Sequence, residues 1–574
     1  MYNISGHLPH SSFLAIMGPS GAGKTSLLDV LAGRNKLGDV TGSIAINGHF
    51  MQIGSSTQQI IPKVSGYIMQ ESVFINTLTV TEVLQYAFRL RKGGTLQQEQ
   101  SVIEDILQVL NLSSISDRVV GDPLKRGISG GERCRLAIGV ELVVSPSLLF
   151  LDEPTSGLDT THALRVMSAI GRLCSLGHTI VATIHQPRST IFNLFDYLLL
   201  LHEGKTVYYG EANKAVHYFK ERGILCPSFI NPADFLLDML EHEGGEEEDS
   251  EEEDDPDKEQ FRTVIRNELS VLPQDLHTEF LKSEEHKKLN RAQKQTKFEL
   301  DDLLFRKDTV SDWSKFLLLV VRTWKATSRD SGVMYIRTIA ALLIGFLVGT
   351  LFFQLPDDSS SVDSRTNTLL FLMCVFSLFC LPAINQLLKD RVLFVRERAS
   401  GFYGPGVYFL SNIVVELPIL FMIVLGYGSI SYWMVGLNSI LSRFGYFIIL
   451  IFAVIQVGFA VSQLIASAVS TLPLAIAAYM LVLTYSLLMG GFIVAPSDMP
   501  SAIRGAFFTS YFWYGFQSLI INEFEGRSFG QEQVHALNYG GTNKWINLGI
   551  LWCMWGFFQT IAFFIIVFWN KEKR

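Results

Sequence analysis

Phe13-Leu-Ala-Ile-Met17-Gly18-Pro19-Ser20-Gly21-Ala22-Gly23-Lys24-Thr25-Ser26 runs from five consecutive apolar residues into a glycine-rich turn that closes on Lys-Thr-Ser. The apolar run reads as a buried strand and Ser26 to Gly33 as a helix, so the turn lies where strand hands over to helix. That is the setting of a phosphate-binding loop. Glycines let successive backbone N–H groups curl round an anion, and the following helix adds the positive end of its dipole. Lys24 is placed to neutralise the β and γ phosphates of a nucleotide and the Thr25 hydroxyl to ligate Mg²⁺, so Gly18 through Ser26 form the expected nucleotide-binding run. Working outward, Leu148 to Leu151 and Thr179 to Thr183 are further short apolar runs, and Thr161 to Leu176 has helical amphipathic spacing. The first 240 residues therefore read as an α/β domain with a largely parallel, buried sheet.

Ser147-Leu-Leu-Phe-Leu-Asp152-Glu153 puts two acids at the end of one such run. Unpaired carboxylates at the end of a buried strand are costly, and a nearby cation removes that cost. Asp152 is expected to hold Mg²⁺, directly or through water, and Glu153 to orient and polarise the attacking water.

Between these motifs lies Ile128-Ser129-Gly130-Gly131-Glu132-Arg133, which resembles the signature sequence of ATP-binding-cassette proteins. The resemblance extends to Gln70 in Gly66-Tyr-Ile-Met-Gln70, which matches the Q-loop, to Asp159 in Ser156-Gly-Leu-Asp159, which matches the D-loop, and to His185, which matches the switch histidine. It implies that Glu153 and His185 are catalytic, that Gln70 joins Thr25 and Asp152 at Mg²⁺, and that Gln70, Ser129, Gly130, Gly131, Glu132 and Asp159 contact nucleotide. Ile184-His-Gln-Pro187, Asn231-Pro-Ala-Asp-Phe235, Gly401-Phe-Tyr-Gly404 and Glu416-Leu-Pro418 are similar to the G subfamily, the white, sterol and multidrug half-transporters. In that family the signature serine and glycine face the phosphate loop of a partner, so two chains share two ATP sites; homodimer and heterodimer both remain open. Only seventeen residues precede Gly18. Related chains carry more, including a strand beside the adenine, and a truncated N-terminus is the expectation.

The second half has a different chemistry. Of 574 residues, 48% are hydrophobic and 18% charged, with mean hydropathy +0.27, which argues against a wholly soluble protein. Forty-one Phe against six Cys exclude a disulfide scaffold. The run Glu241 to Glu259 carries thirteen acids and one Lys, a charge of −12 in a chain of −8, so the remainder is +4. A block that dense reads as a solvated spacer, and residues 241–310 as an acidic, disordered connection. Residues 311–574 then form an all-α six-helix membrane domain, with apolar runs at Ile336–Leu355, Thr368–Leu388, Tyr408–Val435, Phe444–Val469, Leu472–Val494 and Ile546–Trp569. With the nucleotide half inside, the inner segments hold twelve Lys and Arg and the outer ones five, which favours a cytosolic nucleotide domain and both ends inside.

Asp312 to Asp330 is expected as an amphipathic interfacial helix, Lys389 to Gly404 as a charged cytosolic connection, and Ala495 to Asn522 as an outer re-entrant segment. Glu416, inside an apolar run, is expected to pair with a neighbouring helix. Phe371, Phe376 and Phe379 in the second run, with Leu481, Thr484 and Leu488 in the fifth, are the expected lining of a two-fold apolar cavity. The function expected is an ATP-hydrolysing dimeric exporter of hydrophobic or amphipathic molecules such as a lipid, sterol, pigment or xenobiotic. It sits in the plasma membrane or an organelle membrane, among lipid, with no nucleic-acid partner. The alternative is an ATP-gated channel or a regulatory subunit of a heterodimer. Intact Glu153, His185 and Ser129 favour the pump.

Overall fold

The computed structural model describes residues 1–34, 40–47, 49–53, 61–122, 127–227, 230–241, 276–295, 310–493, 500, 504–527, 529 and 543–569. They fall into two units, Met1–Val310 and Ser311–Glu572, each with its own core.

In the first unit a six-stranded sheet has the order β4-β5-β6-β1-β7-β8. Its strands are β1 (Phe13–Met17), β4 (Ser65–Ile68), β5 (Leu148–Asp152), β6 (Thr179–Thr183), β7 (Tyr197–His202) and β8 (Lys205–Glu211). A separate hairpin pairs β2 (Ser43–Ile46) with β3 (His49–Gln52). β1 lies in parallel between β6 and β7 and is buried along its whole length. An all-apolar run suits that place because both faces of a parallel sheet are covered. Only β8 is antiparallel, reached through a tight turn at Glu203 and Gly204, both at positive φ (46° and 75°).

The sheet edge at β8 is covered from an unexpected direction. Within the stretch read as unstructured connection, Leu276–Lys282 and Glu284–Gln295 are helices packed against β8. Leu276, Phe280 and Leu289 are buried there, and His277 Nδ1 donates to the Thr206 carbonyl at 2.8 Å. The spacer assignment over 241–310 is corrected to that extent: Leu276 and Phe280, four residues apart on one helix, and Leu289 on the next outweigh the polar average, and they protect an edge strand. The acidic run beyond Glu241 lies outside the described residues.

In the second unit Asp312–Arg329 is a helix whose Trp313, Leu317, Val321 and Trp324 are exposed while Lys315, Leu319 and Arg322 are buried. Six apolar helices follow, and among the described residues five are long enough to cross a bilayer. They begin with Ser331–Leu351, and the second is split into Val362–Leu378 and Leu381–Ala399. The break has a cause. Pro382 offers no N–H, and Phe379 and Cys380 donate three residues back, to Phe376 and Ser377 (3.2 and 3.3 Å). Pro405–Val435 and Leu441–Ala468 are the third and fourth, and Lys544–Phe568 is the sixth.

The fifth, Leu472–Leu488, has 17 residues, shorter than the run to Val494 that the sequence suggested. At about 1.5 Å per residue it spans roughly 25 Å, under the ~30 Å of a hydrocarbon core. Of the expected re-entrant segment, Arg504–Thr509 is a 3-10 turn and Tyr511–Phe524 a helix buried against the second, fourth and sixth apolar helices.

Lys389 to Gly404 leads from the second apolar helix to the third. Most of it continues the second helix, and its charges close helix ends. Arg391 donates to the carbonyls of Ala466, Ser467 and Val469 at 2.7, 3.1 and 2.8 Å. Arg398 donates to those of Ile566 and Val567 at 3.1 and 3.2 Å. Glu397 receives both arms of Arg322 at 2.6 and 2.8 Å.

Glu416 pairs as expected: Arg337 on the first helix donates to it at 2.6 Å, with both side chains buried. Arg337→Leu strands that carboxylate in an apolar interior and is expected to cost about 3–5 kcal/mol of stability. The double change to Leu at Arg337 and Glu416 is expected to recover most of it. Thermal unfolding of both variants in detergent checks this; a double variant no more stable than the single one would show that the pair is not an isolated unit.

Candidate nucleotide site

The phosphate loop is shaped by close approach. A Cβ on Gly18 would meet the Leu201 carbonyl oxygen at 2.2 Å, so no other residue fits between β1 and β7. Gly23, at φ 94°, caps the helix Lys24–Leu31 in a left-handed conformation that turns its first N–H groups toward the loop. Lys24 Nζ donates to the carbonyls of Gly18 and Pro19 at 2.7 and 2.9 Å. Burial lowers its pKa, against the opposing pull of Glu153 and Asp152.

β5 and β6 deliver the acids to the same place. Asp152, at the buried end of β5, pairs in register with Thr183 at the end of β6. Its Oδ1 accepts from Thr25 Oγ1 at 3.0 Å and from Thr183 Oγ1 at 2.9 Å. The Glu153 N–H donates to the same Thr183 hydroxyl at 2.8 Å, and Glu153 takes a left-handed backbone at φ 45°. That turn swings its carboxylate toward β4, where Gln70 Nε2 donates to Oε2 at 2.8 Å and reaches Ser156 Oγ at 3.4 Å. His185 follows β6 by two residues and is exposed on the same sheet end. Thr183 was not singled out from the sequence; its signal, a hydroxyl ending the strand beside Asp152, exists only once strand order is known.

The signature turn is a helix start. Ser129 caps the helix Gly130–Leu142. Its Oγ accepts from the Glu132 N–H at 3.3 Å while Glu132 Oε2 accepts from the Ser129 N–H at 2.7 Å. Burial pushes the Glu132 carboxyl up, but hydrogen bonding to it from Ser129, with Arg118 and Arg135 nearby, brings it below its usual range. Glu132 is thus engaged in capping the helix that carries the signature turn. Gly130 lies against Leu158 and Gly131 against His162, so the turn touches the D-loop that carries Asp159.

The six expected cavity residues do not share a surface. Phe376 is wholly buried, with its ring 4.4 Å from Tyr427, and Phe379 lies 6.0 Å from the same ring. These two belong to the helix core, a correction that follows from their position on the inner side of the second helix. Phe371, Leu481 and Leu488 are 45%, 72% and 43% exposed, and Thr484 is exposed with its hydroxyl bonded back to the Met480 carbonyl at 2.8 Å.

Comparison with known proteins matches residues 1–156 to the ABC transporter family and residues 314–524 to the ABC-2 type transporter membrane family. A second ABC-2 type transporter family matches residues 185–315. The chain is 32% identical to ABC transporter G family member 7 of Arabidopsis thaliana, over 94% of this chain and 74% of that protein. It is 31% identical to the broad substrate specificity ATP-binding cassette transporter ABCG2 of Rattus norvegicus, over 96% and 86%. The ATP-binding protein/permease wht-1 of Caenorhabditis elegans is also 31% identical, over 92% and 78%.

Proposed function

Since the chain belongs to the G family of ATP-binding-cassette transporters, an integral membrane ATPase coupled to transport, we propose that it exports hydrophobic or amphipathic molecules as one half of a dimer. The single observation that carries the chemistry is the chain of contacts Thr25–Asp152–Thr183–Glu153–Gln70, which gathers side chains from the loop helix, β5, β6 and the end of β4 into one cluster.

Backbone N–H groups from Gly18 to Ser26 bind the phosphates, and Lys24 exchanges its loop carbonyls for the β and γ oxygens. Thr25, Asp152 and Gln70 offer a hydroxyl, a carboxylate and an amide, hard oxygen donors that suit Mg²⁺. When bound, the ion would neutralise charge between the phosphates. Glu153, held by Gln70, orients and polarises the water that attacks the γ phosphorus, and His185, exposed at the same sheet end, is the second catalytic group. Ser129, Gly130, Gly131 and Asp159 serve the partner's nucleotide, and the partner returns the service. Both halves of the site are present here, so a homodimer has two competent sites and a heterodimer remains open.

Exposed apolar side chains on the second helix (Phe371) and on the fifth (Leu481 and Leu488) support a greasy substrate; the rat relative is itself named for broad substrate specificity. The exposed Trp313, Leu317, Val321 and Trp324 suit a helix resting on lipid. The bias of basic residues supports a cytosolic nucleotide unit, in the plasma membrane or an organelle membrane. The test is ATPase activity of the purified chain in lipid, screened across sterols, phospholipids and amphipathic drugs. Stimulation by at least one class, saturable and lost in a Phe371→Ala/Leu481→Ala variant, is expected. A rate indifferent to every compound would count against the exporter.

A further inference from the structure

In the D-loop helix Thr160–Ser175, one side chain touches two functional loops at once. His162 Nδ1 is hydrogen-bonded to the Asp159 carboxylate, and this bond holds Asp159 below the usual carboxylate range. The Cβ side of the same residue packs on the signature turn. A Cβ on Gly131 would meet His162 Cβ at 2.9 Å and Cδ2 at 3.3 Å, so the side chain of His162 packs closely on a glycine with no room for a larger residue unless His162 shifts. Leu158 makes the parallel contact with Gly130. At its other end the D-loop is tied to the hydrolytic cluster, since Gln70 reaches both Glu153 and Ser156.

We propose that His162 is a positioning residue which fastens the D-loop to the signature turn of its own chain, so that the two loops meet the partner's nucleotide as one rigid block. The inference rests on the shared-site reading above. Both loops face away from the phosphate loop of their own chain in that arrangement, and their relative position decides whether the partner's site closes. A strained or loose D-loop would leave Ser129 and Asp159 free to settle separately, at an entropic cost on every closure. His162 contributes no group to the reacting atoms.

The proposal is tested with His162→Ala and His162→Asn in the full-length protein in lipid, beside Glu153→Gln as reference. Asn keeps a nitrogen donor at the same distance from Cβ as Nδ1 and keeps an atom over Gly131. His162→Ala is expected to bind ATP within about twofold of the parent, because its own phosphate loop is untouched, and to hydrolyse it about tenfold more slowly, the factor one ordinary hydrogen bond carries. In the Glu153→Gln background it is expected to trap less ATP-bound dimer by cross-linking. His162→Asn is expected to restore both. Unfolding midpoints within a few degrees of the parent separate positioning from loss of fold. A His162→Ala protein that hydrolyses at the parent rate, or an Asn variant as slow as Ala, overturns the proposal. If Glu153→Gln itself keeps the parent rate, the failure belongs to the assignment of the hydrolytic cluster.

Discussion

Glu153→Gln is expected to leave ATP binding intact and to lower turnover by about a thousandfold, within the roughly 10²–10⁴ that a positioned general base contributes. In energy this is about 4 kcal/mol of barrier. The amide has the shape of the carboxylate, so the hydrogen bond from Gln70 can be replaced by one of opposite sense after a small rotation, and the left-handed turn at Glu153 is undisturbed. What is lost is the charge that polarises water. ATP then remains bound while the loops close, so a closed, nucleotide-bound dimer is expected to accumulate. Single-turnover hydrolysis with labelled ATP measures the rate and cross-linking measures the dimer. A variant hydrolysing at the parent rate would move the role to another group, such as His185 at the same sheet end.

Lys24→Ala is expected to act one step earlier, on binding. Its ammonium is partly dehydrated, and the carbonyls of Gly18 and Pro19 that it now bonds are weak substitutes for a triphosphate. A hydrogen bond to a charged group is worth about 1.5–3 kcal/mol, so the dissociation constant for ATP should rise roughly 10- to 150-fold. Hydrolysis at subsaturating ATP falls by at least as much. Equilibrium binding of a fluorescent ATP analogue decides: an unchanged affinity would mean that the phosphates lie elsewhere than against the Gly18–Ser26 loop. The two variants therefore separate binding from chemistry within one site, and their difference is informative even where both abolish transport.

Much of this was legible in the residues alone. Gly18 to Ser26 and Asp152 with Glu153 are short, contiguous and built from residue types whose local physics is specific, glycines for close backbone approach and acids at a strand end, while Ser129 to Glu132 was legible through its resemblance to the signature sequence. The strands at Phe13, Leu148 and Thr179 could be read because a buried parallel strand is apolar throughout, and the apolar helices because a bilayer demands a composition that few soluble segments share. The pairing of Glu416 was legible for a related reason, since an ionised group in an apolar run has few alternatives to a partner.

What the tertiary structure alone decided concerns direction and partnership. Whether Phe376 or Phe371 faces outward depends on how the second helix is rotated against Tyr427, and a helix apolar on all sides carries no periodic signal of that rotation. That Arg391 and Arg398 close the ends of other helices depends on backbone carbonyls some 75 and 168 residues away, which no local pattern announces. The helices Leu276–Lys282 and Glu284–Gln295 are hidden in the sequence by their own polarity and become visible only against the edge of β8. Thr183 and His162 gain meaning only from the residues that strand order and packing bring to them, Asp152 in one case and Asp159 with Gly131 in the other. Chemistry at a motif is local and is written in residue types, whereas packing is a relation between distant segments that exists only after the chain has folded.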